Sequence, residues 1–334
     1  MKKIAQPLFL GLTLISLSIA NVYAADSDKP VTEQLVDTMT KLAGGPHAGF
    51  RANHAKGIVA SGEFTPATSA ASVTKAVHLQ SGTTPVTVRY SDATGVPNIP
   101  DANGNSFPKG MAIRFNLADG TYTDIVAISV NGFPAATPED FLGLLNAVAA
   151  SGPDAAKPSP VEQFLGSHPA ALKFVTTPKP APVSFATQAY YGVNAFKFIN
   201  AQGETRFARY RIEPVSGQEF LSKEATDKAA PNYLMDELPA RLSKGSVKFR
   251  ISLQLAAPGD SVNDATQVWP DDRKLVELGT LTLKAADANG VAFEKSTMFT
   301  PLALVDGIAP SDDPILLARP AAYAVSYGRR LSSK

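Results

Sequence analysis

No cysteine occurs in this chain of 334 residues. That excludes disulfides, thiolate metal ligands and thiol nucleophiles together. Histidine is nearly as scarce, with four in all, and tryptophan occurs once. Neither charge sign prevails: 31 basic against 30 acidic residues give a formal net charge of +1, with no clustered basic stripe. A nucleic-acid partner therefore has no electrostatic footprint. Long apolar runs are missing too, with one exception. Lys2 and Lys3 precede LFLGLTLISLSIA, and the segment closes on the small-residue ending VYA just before Ala25. A basic start, a short apolar core and such an ending predict a secretory signal peptide over residues 1–24, cleaved after Ala24. The exported chain, residues 25–334, then has no membrane segment, and losing the two lysines turns its formal charge to −1. The periplasm is its expected compartment if the cell has an outer membrane.

Several catalytic spacings are absent as well. There is no HExxH, no glycine-rich phosphate loop after a strand and no GxSxG elbow. Carboxylates are plentiful, yet no pairing marks an acid and a base. His47, His78 and His168 stand without a supporting pattern, as partly buried structural histidines do.

What the chain does have is two sets of strand-like runs. GIVASGEF, PVTVRYSD, GMAIRFNL and DIVAISV form the first, and GVNAFKFIN, TRFARYRIEP, SVKFRISLQLAA and LVELGTLTLKA the second. In SVKFRISLQLA, Val247, Phe249, Ile251, Leu253 and Leu255 alternate with Lys248, Arg250, Ser252 and Gln254, which predicts a strand with one wet face. Helical patterns surround these runs. VTEQLVDTMTKLAGG has helical spacing before a glycine pair. Thr137 caps a helix opened by Pro138, with Phe141, Leu144, Leu145 and Val148 along one face, and Ser159 to Glu162 repeats the capping pattern. Four strands, helices, then four strands predict an α+β fold: a closed eight-stranded antiparallel β-barrel with inserted and flanking helices, in one domain over 25–334. The last pattern, PSDDPILLARPAAYAVSYGRRL, is expected as a helix on the outside.

Two ends of the chain carry the chemistry. FRANHAKG sets His54 three residues after Arg51 and two before Lys56. At the other end, Arg319 lies four residues before Tyr323 and Arg330 seven after it, spacings that share one helix face unless Pro320 starts or kinks the helix. An arginine beside a tyrosine favours the phenolate, a hard anionic ligand suited to ferric iron. Spacing alone equally fits a terminal helix with solvated arginines and a packed tyrosine.

These segments resemble the haem catalases, most closely their short relatives, the catalase-related peroxidases. The likeness runs through FRANHAKG, TPVTVRYSDATG, KGMAIRFNLADGTYTDIVAI, DATQVWPDDRKLVELGTLTL and RPAAYAVSYGRR, in the family's order, from about residue 49 to 331. It implies haem b as cofactor, His54 as distal acid/base and Ser91 as the partner that orients its imidazole. It also implies Tyr323 as iron ligand with Arg319 on its oxygen, Arg51, Arg89 and Arg330 on the haem propionates, and Phe141 stacked on the haem plane. Arginine's donor fork suits a propionate. There are departures. The distal asparagine of catalases falls on Ile128, with Asn131 three residues on, and Asn53 replaces the apolar residue before the distal histidine. The long wrapping and carboxyl-terminal extensions of large catalases have no counterpart in the sequence.

The resemblance implies a peroxidase that reduces hydrogen peroxide or an organic hydroperoxide with an organic electron donor, with weak catalase activity because the distal amide is missing. The partners expected are small molecules, and the assembly a monomer or small homo-oligomer. Two other readings compete: a non-catalytic haem carrier, which has no use for a positioned His54, and a fatty-acid hydroperoxide isomerase on the same fold.

Overall fold

The computed structural model describes residues 28–287 and 290–333. The expected signal peptide lies outside the described residues. Ten strands form one antiparallel sheet: β1 (Gly57–Pro66), β2 (Thr84–Ser91), β3 (Gly110–Asn116), β4 (Tyr122–Ile128), β5 (Tyr190–Tyr191), β6 (Phe196–Ile199), β7 (Thr205–Pro214), β8 (Val247–Leu255), β9 (Leu275–Ala286) and β10 (Ile308–Pro310). Eight of them close a ring: β1 to β5 pair in turn, except that β1 also meets β9; β5 pairs with β7, β7 with β8, and β8 with β9. The expected barrel is therefore present, with one change of detail. The GVNAFKFIN run does not close against β4. The two-residue β5 before it does, and β6 extends the same edge of β7 and carries β10.

Alternation fills the barrel. Val88, Tyr90, Met111, Ile113, Ile125 and Ala127 are buried in the core with Phe249, Ile251 and Leu253 of β8. Their neighbours in sequence point outward. On β8 the wet face is only half wet: Lys248 and Arg250 are exposed, whereas Ser252 and Gln254 are buried. The covering segment is an outside loop, where the Gln254 amide donates to the Pro270 carbonyl at 2.8 Å.

Eight helices decorate this wall: α1 (Val31–Leu42), α2 (Pro138–Ala149), α3 (Pro160–Ser167), α4 (Pro169–Thr176), α5 (Lys223–Asp227), α6 (Tyr233–Leu242), α7 (Gly290–Ser296) and α8 (Pro314–Ser332). Their starts follow the sequence signals. Thr137 Oγ accepts from the Asp140 amide at 3.1 Å, and Ser159 with Glu162 forms a capping box. The apolar stripe of α2 is narrower than its spacing suggests: Leu144 is buried, but Val148 is 43% exposed. α1, α2 and α8 pack on one another. Together with the outer face of β2, β3 and β4 they enclose a cavity of about 250 Å3.

Candidate active site

Strand register builds one wall of that cavity. Ser91 on β2 faces Gly110 on β3, which faces Ile128 on β4, and one step along Arg89, Ala112 and Val126 form the next row. All six line the cavity. Gly110 is required where it stands: a Cβ there would lie 2.6 Å from Ser91 Oγ and 3.0 Å from His54 Nδ1. In the space this leaves, the Ser91 hydroxyl meets His54 Nδ1 at 3.0 Å. Nδ1 is thereby occupied, and Nε2 is the nitrogen left for a substrate.

His54 adopts φ 55°, a left-handed conformation that costs a non-glycine residue of order 1–3 kcal/mol. Its neighbours hold it there. The Ala52 amide donates to Ser326 Oγ at 3.1 Å, the Ala55 amide to the Thr94 carbonyl at 3.0 Å, and Arg89 Nη2 to the His54 carbonyl at 2.9 Å. Burial, then the nearby Arg89 charge, push the imidazole pKa down to about 3, against a backbone hydrogen bond to Asp92 that favours the protonated ring. His54 is thus a neutral base at every ordinary pH.

α8 supplies the opposite wall. Asp313 caps its first turn, with Oδ1 accepting from the Ile315 and Leu316 amides at 2.9 and 3.3 Å. The helix runs unbroken from 314 to 332, so Pro320 neither starts nor ends it. Arg319 Nε and Nη2 both donate to Tyr323 Oη, at 2.9 and 2.8 Å. Two charged donors on one phenolic oxygen suit an anion there. Arg319 is itself fixed: Nη1 donates to Asn194 Oδ1 at 2.8 Å, and Asn194 Nδ2 donates to Asp313 Oδ2 at 2.8 Å. Asn194 and Asp313 carry no recognisable spacing in the sequence, and only the fold shows that the helix cap also orients the arginine.

In this cavity's lining Arg51 and Arg89 meet at a residue that the sequence did not single out, and Arg330 joins them through a shared carbonyl. Glu294 of α7 accepts from Arg51 Nη1 at 3.2 Å and from Arg89 Nε at 2.8 Å. Arg330 Nη2 and Arg51 Nη2 share the Thr297 carbonyl at 2.8 and 3.0 Å. A Cβ at residue 57 would run into the Arg89 guanidinium, so Gly57 makes its passage possible. Burial and the like charges of Arg89 and Arg330 push Arg51 well below the arginine range, with Glu294 opposing. Arg330 is lowered by burial and Arg89. Three guanidinium groups against one carboxylate leave the cradle short of negative charge.

The remaining walls are apolar: Val126, Ile128, Phe133, Phe141, Met298 and Phe299. Phe141 packs against Phe133 with ring centroids 4.9 Å apart. All eight residues expected at the site line this one cavity; Asn131 is not among its lining residues, whereas Asn53 is. The other histidines lie elsewhere. His78 is buried against Phe115 at 4.7 Å with burial holding its pKa at about 4, and His168 stacks on Phe164 at 3.7 Å. A dianionic macrocycle with an apolar body and a metal seeking an oxygen donor fits this set: apolar walls, a cradle of three arginines with a single carboxylate and a tyrosine backed by arginine.

Behind the His54 wall lies a buried ionic network. Lys109 Nζ donates to Asp92 Oδ1 and to the Asp101 carbonyl, each at 2.6 Å, and Lys56 pairs with Asp101. Three of the four members lie close to a wall residue in sequence: Asp92 follows Ser91, Lys109 precedes Gly110, and Lys56 lies two residues from His54. Burial pushes the Asp92 carboxyl up, Lys109 opposing and Asp101 adding to the shift.

Many known proteins are similar to this chain. Residues 41–334 match the family profile described as Catalase. A catalase-related peroxidase of Mycolicibacterium paratuberculosis is 36% identical over 301 residues, covering 89% of this chain and 94% of the relative. A catalase-related peroxidase of Synechococcus elongatus is 33% identical, covering 96% and 94%. The catalase of Pseudomonas syringae pv. syringae is 28% identical, and this chain covers 64% of it. Among solved structures, a fungal catalase superposes with a TM-score of 0.76 at 23% identity, over 89% of this chain and 62% of the other. Profile, relatives and barrel agree: the chain belongs to the catalase family.

Proposed function

We propose that this protein is an exported peroxidase that reduces hydrogen peroxide or organic hydroperoxides at a haem b, drawing electrons from an organic donor. One observation carries the reading: a neutral histidine held by Ser91 and a tyrosine gripped by Arg319 face a single cavity beside a cradle of arginines. The relatives named catalase-related peroxidase support it. The residues that would hold the haem are Tyr323 at the iron, Arg51, Arg89 and Arg330 at the propionates, and Phe141 at the ring. Bound there, haem supplies an iron centre able to take two oxidising equivalents from a peroxide.

The chain's own residues handle the proton. His54 Nε2 accepts it from the incoming hydroperoxide and returns it to the departing oxygen, so that water or an alcohol leaves. Ser91 at Nδ1 keeps the ring in the orientation both transfers need. Arg319 fixes the Tyr323 oxygen in place with two hydrogen bonds. The apolar side chains of Ile128, Val126 and Phe133 keep bulk water from competing for the proton.

Ile128 favours peroxidase over catalase activity. It occupies the row of Ser91 and Gly110, and an isoleucine there offers no hydrogen bond to a second peroxide. The carrier alternative leaves His54 and its strained turn without a use. Purified holoprotein supplied with hydrogen peroxide and a phenolic dye is expected to oxidise the dye and release little oxygen. Vigorous oxygen evolution with negligible dye oxidation overturns the preference. Export to the periplasm rests on residues 1–24; amino-terminal sequencing of the secreted protein is expected to begin at Ala25. A single domain over 25–334, as a monomer or small homo-oligomer, completes the proposal.

A further inference from the structure

On the far side of Arg51 and Ala52 lies a second cavity. Its volume is about 250 Å3, the same as that of the main one. Val36, Arg51, Ala52, Ser326 and Arg330 line both, so a single layer of side chains separates them. That partition is fixed. The Ala52 amide bonds Ser326 Oγ at 3.1 Å and the Gly49 amide bonds Ser333 Oγ at 2.8 Å, stitching the loop before β1 to two successive points on one face of α8.

The lining is one-sided in charge. Arg51, Arg329 and Arg330 stand in it with no aspartate or glutamate. Arg329 is held at the rim from behind, by Asp37 at 2.7 Å and Glu33 at 3.4 Å on α1. Two rings complete the mouth. Phe50 is 46% exposed, and His47, bonded through Nε2 to the Ala43 carbonyl at 3.0 Å, lines the same space. A half-exposed aromatic ring and a fixed cation in one lining suit a flat anionic ligand.

We infer that the second cavity binds the organic reductant, and that this reductant is a small aromatic acid: a phenol or catechol bearing a carboxylate. The inference rests on the peroxidase reading. A reductant has no need to enter the space where the O–O bond breaks, since only an electron must cross the partition. Separate cavities hold both substrates at once and keep His54 free for peroxide. The donor ring lies on Phe50 and its carboxylate meets Arg329. The balance is one peroxide to two donors: each gives one electron and one proton and leaves as a radical, and the two electrons and two protons convert hydrogen peroxide to two waters.

Caffeate and its uncharged methyl ester test this on the holoprotein. Equilibrium binding is followed in the resting protein and KM under saturating hydrogen peroxide. Phe50→Ala is expected to raise both the Kd and the KM for caffeate about three- to tenfold, the worth of one aromatic contact. Caffeate is expected to bind wild type more tightly than the ester, and Arg329→Gln to erase that difference. A Kd and KM unchanged by Phe50→Ala, or an ester bound as tightly as the acid, overturns the site. Wild-type holoprotein that binds caffeate with a Phe50-sensitive Kd yet oxidises no donor overturns the peroxidase reading instead, and with it the reductant role of this cavity.

Discussion

At the scale of single residues, the neutrality of His54 has a measurable consequence. Its folded pKa of about 3 lies below the ordinary value, so the ring accepts a proton at any pH well above 3. The rate constant for the reaction of holoprotein with hydrogen peroxide is expected to stay level from pH 8 to pH 5, followed by stopped-flow absorbance. A fall centred near pH 6.5 contradicts the reading. The sign for stability follows from the same shift. Below about pH 6.5 the unfolded chain takes up a proton that folded His54 refuses, so its contribution is present above that pH and lost as pH falls toward 3. His54→Ala is expected to keep haem, as read from the visible spectrum, while peroxide turnover drops about 10²–10⁴-fold. Ile128 carries a prediction of opposite sign. Ile128→Asn places an amide in the row of Gly110 and is expected to raise oxygen release about tenfold or more relative to dye oxidation, measured with an oxygen electrode. His54, Ser91, Arg319 and Tyr323 were legible because motifs carry them. Glu294, Asn194 and Asp313 were not, because a lone carboxylate or amide has meaning only through what surrounds it.

Elements act here through what lies behind them. Asp92 follows the end of β2 and Lys109 precedes the start of β3, and the buried pair of those two ties the strands together at 2.6 Å. Removing one member of such a pair strands the other in an apolar setting. Lys109→Met is expected to destabilise the fold by about 3–5 kcal/mol in denaturant unfolding, with Asp92→Asn restoring part of the loss in the double variant. Equal losses in the single and double variants contradict the coupling. α8 shows a similar economy: Asp313 caps the helix and, through Asn194, orients Arg319 toward Tyr323. The sequence marked α8 by its periodicity but left the effect of Pro320 open. Helix-face spacing proved sufficient because Asp313 fixes the start and α1, α2 and α7 pack against the element.

The molecule as a whole is a closed sheet with helices laid over three of its strands, and the cavity that holds the candidate site lies between the two layers. A group bound there touches both, so it stabilises the assembly by mass action. Haem at a hundred times its Kd is expected to add about 2.7 kcal/mol, seen as a rise in Tm that Tyr323→Phe diminishes. An unchanged Tm on adding haem contradicts binding between the layers. Strand alternation and capping signals determined the barrel and the helices from sequence alone, since periodicity 2 and periodicity 3.6 are local properties, and the family resemblance of two ordered motifs named the residues that line the candidate site. Only tertiary structure decided that two-residue β5 closes the ring, that Glu294 enters the arginine cradle, and that a second cavity backs onto the first. Those facts depend on which distant segments come to lie side by side, and no local pattern records that.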